Sequence, residues 1–463
     1  MAAATIDRGV DDALRRRLLA AAILASFVSF LDGSITNIAL PAIERELGGG
    51  VATQQWVVDG YLLSLSALIL LAGAVSDAAG RLRVLRIAVV AFVVTSALCA
   101  VAPSAGFLIG ARVLQGVAGA LLVPGSLALI IAVFDGPAQS RAIGTWTGWT
   151  TVSGLLGPVV GGALVDGLGW RSVFLIGLLP AAAAMLLLGR TGDGARAAVR
   201  PRIDVVSAVL AALGLAGLTV GLIELGARSD AVLPPATAAA LLAGGAAALA
   251  AFLVRNARAG HPLVPPSLFA ARNFAWGNLS TFFVYGALGL VTLVPTLFLQ
   301  RVVGLPATLA ALVGLPSTLL LILLSGRFGA LAGRLGARRF MTAGPLVAAA
   351  GALVASLVRE PSSALWFVIP GTVLTGLGMS MTVAPLTSAV LGAVPPASSG
   401  IGSAVNNAVA RVAGLLTVAS AGWILGGEVT LGGYVRSSLT TALLLAVGGA
   451  IAFAGIRGRP SAP

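Results

Sequence analysis

Two carboxylates and two guanidiniums stand where an apolar sequence should exclude them. Asp32 interrupts a run that is apolar from Leu18 to Leu31 and resumes as far as Leu40, and Asp59 lies in the next such run. Arg112 and Arg411 fall inside two later runs. Ionisable groups are costly in such surroundings, and those found there usually move ions or protons or bind a solute. Burial favours the neutral acid and a neighbouring arginine favours the carboxylate, so an acid held between these influences can exchange a proton. The types alone leave two readings open for Asp32, Asp59 and Arg112: a static buried ion pair, or at least one acid that takes up a proton or cation. The second is preferred here. Asn406 and Asn407, beside Arg411, suit interhelical hydrogen bonding as well as they suit contact with a solute. Cys99 is the only cysteine and His261 the only histidine, so neither an intramolecular disulfide nor a Cys/His metal site is expected. No nucleophile, base and metal set of an enzyme is recognisable, and no cofactor is expected.

The elements that must position these groups follow from composition. Of 463 residues, 58% are hydrophobic and 10% charged, against about 25% charged in a soluble domain. Apolar runs between polar breaks predict fourteen helices, near 18–41, 55–75, 84–103, 105–134, 140–163, 171–189, 204–225, 232–254, 273–299, 306–327, 340–358, 363–392, 399–425 and 438–456. The chain is therefore read as an all-α integral membrane protein. Its 29 basic residues are all arginine; with the N-terminus inside, 21 fall in cytoplasmic segments and 6 in external ones. That bias places both termini in the cytoplasm and accounts for the net charge of +13 without nucleic acid. Arg15 to Arg17 ahead of Leu18 resemble the start of a signal peptide, but the apolar pattern runs on past Asp32 without a convincing cleavage site, so a retained first span is expected.

Helix rise sets the depth of each charge. From the inner edge of a core about 30 Å thick, Asp32 comes out at about 21 Å, Asp59 at about 24 Å, Arg112 at about 20 Å and Arg411 at about 18 Å. The charges are thus expected in one layer above the midplane. Ser29 and Thr36 share a helical face with Asp32, and Gln55 and Ser66 share one with Asp59, which predicts that both acids face a polar cavity.

Polar breaks at 190–203 and 255–272 bracket two helices made of little but Ala, Leu, Gly and Val, with Glu224 as a late acid. The expected organisation is a six-helix bundle over 1–190, a linker with two extra helices over 191–258 and a second six-helix bundle over 259–463. An internal repeat supports two halves: Gly73 to Arg83 follows the second helix, Gly329 to Arg339 follows the tenth, and each keeps glycines seven residues apart before an arginine. Gly144, Gly148, Gly157 and Gly161 recur at four-residue spacing, which clears a helix face for close approach to a neighbour, and Pro158 favours a kink there.

Four segments together resemble the major facilitator superfamily, and within it the fourteen-helix drug:proton antiporter family. They are Leu31 to Pro41, Gly73 to Arg83, Arg112-Val-Leu-Gln115-Gly116, and Gly154-Leu-Leu-Gly157-Pro158-Val-Val-Gly161-Gly162. The resemblance implies a major facilitator fold of two six-helix bundles plus an inserted hairpin, in the cell membrane. It also implies export of small amphipathic or cationic compounds against protons by alternating access, with the proton gradient as the energy source. Asp32, Asp59 and Arg112 would couple protons to substrate. Thr36, Gln115, Trp149, Tyr285, Asn406, Asn407 and Arg411 are candidate cavity residues, although Trp and Tyr more commonly anchor membrane interfaces. The segment with Gly73, Asp77, Gly80 and Arg81 would be a cytoplasmic latch loop, and Gly154, Gly157, Pro158, Gly161 and Gly162 the antiporter motif. Small-molecule substrate, protons and the bilayer are the expected partners, and a monomer the expected state. A dedicated metabolite exporter, an anionic-solute transporter of the same fold, or a transport-dead sensor are the alternatives.

Overall fold

The structure is a computed structural model, and it describes residues 12–134, 136–189, 204–227, 231–260, 262–395 and 399–457. Among these residues every regular element is helical: α1 (Asp12–Leu47), α2 (Gly50–Ala79), α3 (Arg81–Ala100), α4 (Ala105–Val133), α5 (Gly136–Leu168), α6 (Ser172–Leu175), α7 (Leu178–Gly189), α8 (Val205–Gly226), α9 (Pro235–Arg258), α10 (Arg272–Arg301), α11 (Ala307–Leu335), α12 (Ala337–Ala355), α13 (Ala364–Leu391), α14 (Ser399–Ala419), α15 (Ala421–Leu425) and α16 (Leu431–Gly455). Uninterrupted apolar sequence in lipid leaves the backbone no hydrogen-bond partner but itself, which is why helices dominate.

Among the described residues, twelve helical stretches are long and apolar enough to cross a membrane. Fourteen were expected. α2 and α12 lie outside the twelve; α12 has only 19 residues and opens on Arg338 and Arg339, which dilute its hydropathy. Two expected helices are broken: 171–189 divides into α6 and α7, and 399–425 into α14 and α15. α5 is a single 33-residue helix that contains Pro158.

The chain divides into two compact units, residues 1–48 with 60–212 and residues 49–59 with 213–463. In the first, Ala21, Ala25 and Val28 of α1 pack with Leu65, Leu85, Phe92 and Leu129. In the second, Phe274 of α10 packs with Met341, Leu386 and Ile456, and Val284 with Ala348, Met379 and Leu445.

The repeated motif has the same geometry in both copies. Gly73 and Asp77 lie within α2, and Gly80 alone, at φ 96°, joins it to α3; Gly336, at φ 91°, joins α11 to α12 in the same way. What sequence spacing marked as a loop is therefore a one-residue reversal between two helix ends. Positive φ at such a reversal is readily reached only without a Cβ, which explains the glycine at both places.

Candidate functional site

The Asp32–Arg112 pairing that depth arithmetic allowed is present inside the first unit. Arg112 Nη1 of α4 lies 2.6 Å from Asp32 Oδ2 of α1 and donates to Gln115 Oε1 at 2.6 Å. Gln115 sits one turn along α4, on the same face as Arg112. Its Nε2 donates to the other carboxylate oxygen, Asp32 Oδ1, at 3.0 Å and to Ser96 Oγ of α3 at 2.8 Å. Carboxylate, guanidinium and amide thus close a ring. Cys99 Sγ, one turn from Ser96, lies 3.6 Å from Gln115 Oε1. The guanidinium carbon is 4.4 Å from the ring centroid of Tyr61, whose hydroxyl is 2.7 Å from Ser29 Oγ. Asp32 is 6% exposed, Arg112 1% and Gln115 0%. In so dry a setting an ion pair is strong, yet each charge carries a large desolvation cost, so the pair is tolerable only because Gln115, Ser96 and Tyr61 satisfy what remains.

Asp59 takes no part in this ring. It belongs to the second unit, is 0% exposed, and neither carboxyl oxygen has a hydrogen-bond partner in the structure. The two acids that sequence grouped together are therefore held in opposite ways. The polar faces expected around them differ as well. Thr36 donates to its own helix at Asp32 O, 2.8 Å away, and Gln55 donates to the backbone of α14.

Other expected site residues scatter. Asn406 of α14 donates to Asn278 Oδ1 at 3.1 Å and Thr281 Oγ1 at 2.9 Å, both on α10. Asn407 is exposed and donates to Ser403 O of its own helix. Arg411 and Tyr285 are half-buried, Tyr285 against the Val284 and Met379 cluster, while Trp149 is exposed. Arg81 Nη1 donates to Ala128 O of α4 at 3.1 Å, which anchors the start of α3. The surroundings of Gly73 and the side chain of Asp77 lie outside what the structure describes.

The glycine stripe of α5 is used over one stretch only. A Cβ on Gly157 would collide with Ser34 Oγ of α1, and one on Gly161 would lie 2.5 Å from Ile35 Cγ1; Gly144, Gly148 and Gly154 have nothing within 4 Å. Gly162, next to the contact, is buried. The contact falls one turn from Asp32, so the stripe sets the position of the carboxylate. Sequence reasoning missed Tyr61, Ser96 and Cys99. Ser96 and Cys99, spaced by three beyond the apolar stretch Ile87–Val94 of α3, are the signal that pointed to a polar face.

Long apolar helices, paired reversal glycines and an ion pair sealed inside a helical bundle define a multi-pass membrane protein of the transporter type. The chain belongs to the Major Facilitator Superfamily, whose profile matches residues 22–418. It is 33% identical over 418 residues to a probable actinorhodin transporter of Streptomyces coelicolor, covering 87% of this chain and 71% of that one. It is also 34% identical over 415 residues to the multidrug efflux pump LfrA of Mycolicibacterium smegmatis, covering 88% and 81%. The cephamycin export protein CmcT of Amycolatopsis lactamdurans is 33% identical over 418 residues, covering 87% and 85%. The fold is similar to that of a bacterial homologue of the human lysosomal transporter Spinster, at TM-score 0.68 and 17% identity over 96% of this chain and 97% of that one. It is likewise similar to the xylose transporter XylE of E. coli, at TM-score 0.67 and 13% identity over 96% and 97%.

Proposed function

We propose that this chain exports small amphipathic or cationic compounds across the cell membrane in exchange for protons, by alternating access. Relatives at 33–34% identity that are named for antibiotic export and multidrug efflux support the substrate class and the direction. In this reading the chain has fourteen spans: six-helix bundles over 1–190 and 259–463, and an inserted pair over 191–258. Both termini are cytoplasmic, the protein works as a monomer, and the proton gradient replaces any cofactor.

The observation that carries the coupling is the contrast between the two acids. Past residue 260 the sequence holds only Glu360 and Glu428 as acids, both outside the long helices, and Glu224 near the end of α8 accepts from the backbone N–H groups of Val232 and Leu233, so the coupling is assigned here to the N-terminal carboxylates. Asp32 is paired with Arg112 and hydrogen-bonded by Gln115, whereas Asp59 is buried without a hydrogen-bond partner in the structure. In this reading Asp32 and Asp59 are the groups that exchange protons against substrate as the protein changes its access state. A cationic compound competes with protons for the same negative charge.

The test is substrate-dependent proton release from purified protein in liposomes, run against a panel of organic cations and anions. Release with cations and none with anions is expected. Release with anions alone would favour an anionic-solute transporter that uses Arg112 and Arg411.

A further inference from the structure

Residues 49–59 cluster with the second unit, while the rest of α2 clusters with the first. The chain reaches them through Gly48, Gly49 and Gly50, at φ 74°, 84° and 59°. Three successive positive φ values mark a joint that side-chain-bearing residues rarely adopt. Beyond it, Gln55 Nε2 donates to Val418 O and Ala419 O, each at 2.8 Å. These are carbonyls of the last turn of α14, which stops at Ala419 before α15 begins, and the last carbonyls of a helix lack partners within it. One side-chain amide therefore fastens α2 to the break between α14 and α15.

The seat has a second wall. Ala52 and Trp56 pack with Ala419 and with Leu222, Ile223 and Ala227 at the end of α8. A Cβ on Gly226 would lie 2.6 Å from Trp423 Cδ1, and one on Gly422 would lie 3.0 Å from Gln55 Oε1 and 3.1 Å from Gly226 O. The backbones of α8 and α15 meet at contact distance there, with the side chain of Gln55 against them. α8 uses another face, Gly214, Gly217 and Gly221, against α9. The first of the two extra helices is therefore built to press on α2 and on the α14–α15 break together.

The seated segment is also poorly satisfied. Both amide atoms of Gln54, Gln55 Oε1 and both carboxyl oxygens of Asp59 are buried without a hydrogen-bond partner in the structure. Five such atoms in six residues oppose the packing that holds the segment, because each regains a partner wherever water reaches it. Apolar seating against unmet polar groups, behind a glycine joint, is what an element that leaves its seat would need.

We propose that Gly50–Asp59 is a latch, fastened by Gln55 to the α14–α15 break and walled by the end of α8, and that it must unseat in each transport cycle. The latch rests on the alternating-access reading above, and it gives the extra helices a task. Thr53→Cys, which is buried in the seat, is labelled with a membrane-impermeant maleimide in proteoliposomes without substrate, and the parent protein with its buried Cys99 serves as the blank. Gln55→Leu should raise the Thr53→Cys labelling rate by about tenfold, the scale given by losing two ordinary hydrogen bonds, and Gly226→Leu, whose side chain would collide with Trp423, should raise it as well. Bridging Gln55→Cys to Ala419→Cys with a short reducible crosslinker should stop transport, and reductant should restore it. Unchanged labelling in a folded Gln55→Leu protein, or full transport by the bridged protein, overturns the latch. A rise with Gln55→Leu but none with Gly226→Leu overturns the role of α8. Labelling as expected in a protein that transports none of the test compounds leaves the latch standing and overturns the export reading.

Discussion

At the scale of single residues, one carboxylate is over-satisfied and the other is not satisfied at all. Asp32 has an arginine on one oxygen and an amide on the other, so protonating it requires a ring of hydrogen bonds to open. Removing one partner of such a pair is worse than removing both. Arg112→Ala should therefore destabilise the protein by about 3–5 kcal/mol, while Asp32→Asn combined with Arg112→Gln recovers much of that loss; thermal unfolding in detergent compares them. For transport, Asp32→Asn should abolish uphill efflux driven by a pH gradient yet leave downhill flux, and Asp59→Asn should weaken chiefly cationic substrates. Uphill transport at full rate by the double variant would remove the N-terminal carboxylates from the mechanism. The ion pair was legible in the sequence because a charge inside an apolar run is rare and helix rise fixes its depth. Its support was less so: Ser96 and Tyr61 are residue types that apolar helices tolerate without consequence, and only the meeting of α1, α2, α3 and α4 gives them a role. Nor does depth reveal which unit holds an acid, so Asp59 was grouped with Asp32 by height alone.

Helices decide how firmly that ring is held. α1 meets α5 through Gly157 and Gly161, one turn from Asp32, so bulk added there acts on the carboxylate through the backbone. Gly161→Leu should separate α1 from α5 and weaken gradient-driven transport strongly, whereas Gly148→Leu, with open space around its Cβ, should transport close to the parent rate. Equal losses in the two variants would reduce the stripe to general packing. The reversals invite a paired comparison. Gly80→Ala and Gly336→Ala each place a Cβ at positive φ, at a cost of about 1–3 kcal/mol. Asp77→Asn should impair transport more than Gly333→Asp does, because only the first copy of the motif carries the acid. Sequence spacing identified all these glycines but could not rank them. A four-residue period shows which residues share a face, and the neighbour determines which part of that face is used. The break at 420 was hidden for a related reason, since no proline or charge marks it and hydropathy alone reads through, whereas Pro180 in the first turn of α7 does mark the one at 176–177.

For the whole molecule the open quantity is the number of crossings, and the arginines constrain it. Twelve helical stretches among the described residues are long and apolar enough to span. α2, with 30 residues, and α12, with 19, bring the reading to fourteen. Both counts are even, so the positions of the termini do not separate them. The residues between do, because each added helix inverts the side on which the following loop emerges. With fourteen spans and an internal N-terminus, 21 arginines face the cytoplasm and 6 face out. Removing α2 from the membrane would exchange the sides of the segments around Arg81, Arg83 and Arg86, and those that follow, until a second omission restored the order. The bias would largely be lost, and basic segments are the ones that resist translocation. Reporter fusions at residues 195 and 463 should therefore both behave as cytoplasmic, and a fusion near residue 230, between α8 and α9, as external. An external signal at 195 would mean that an odd number of helices precedes it, and the fourteen-span arrangement would fall.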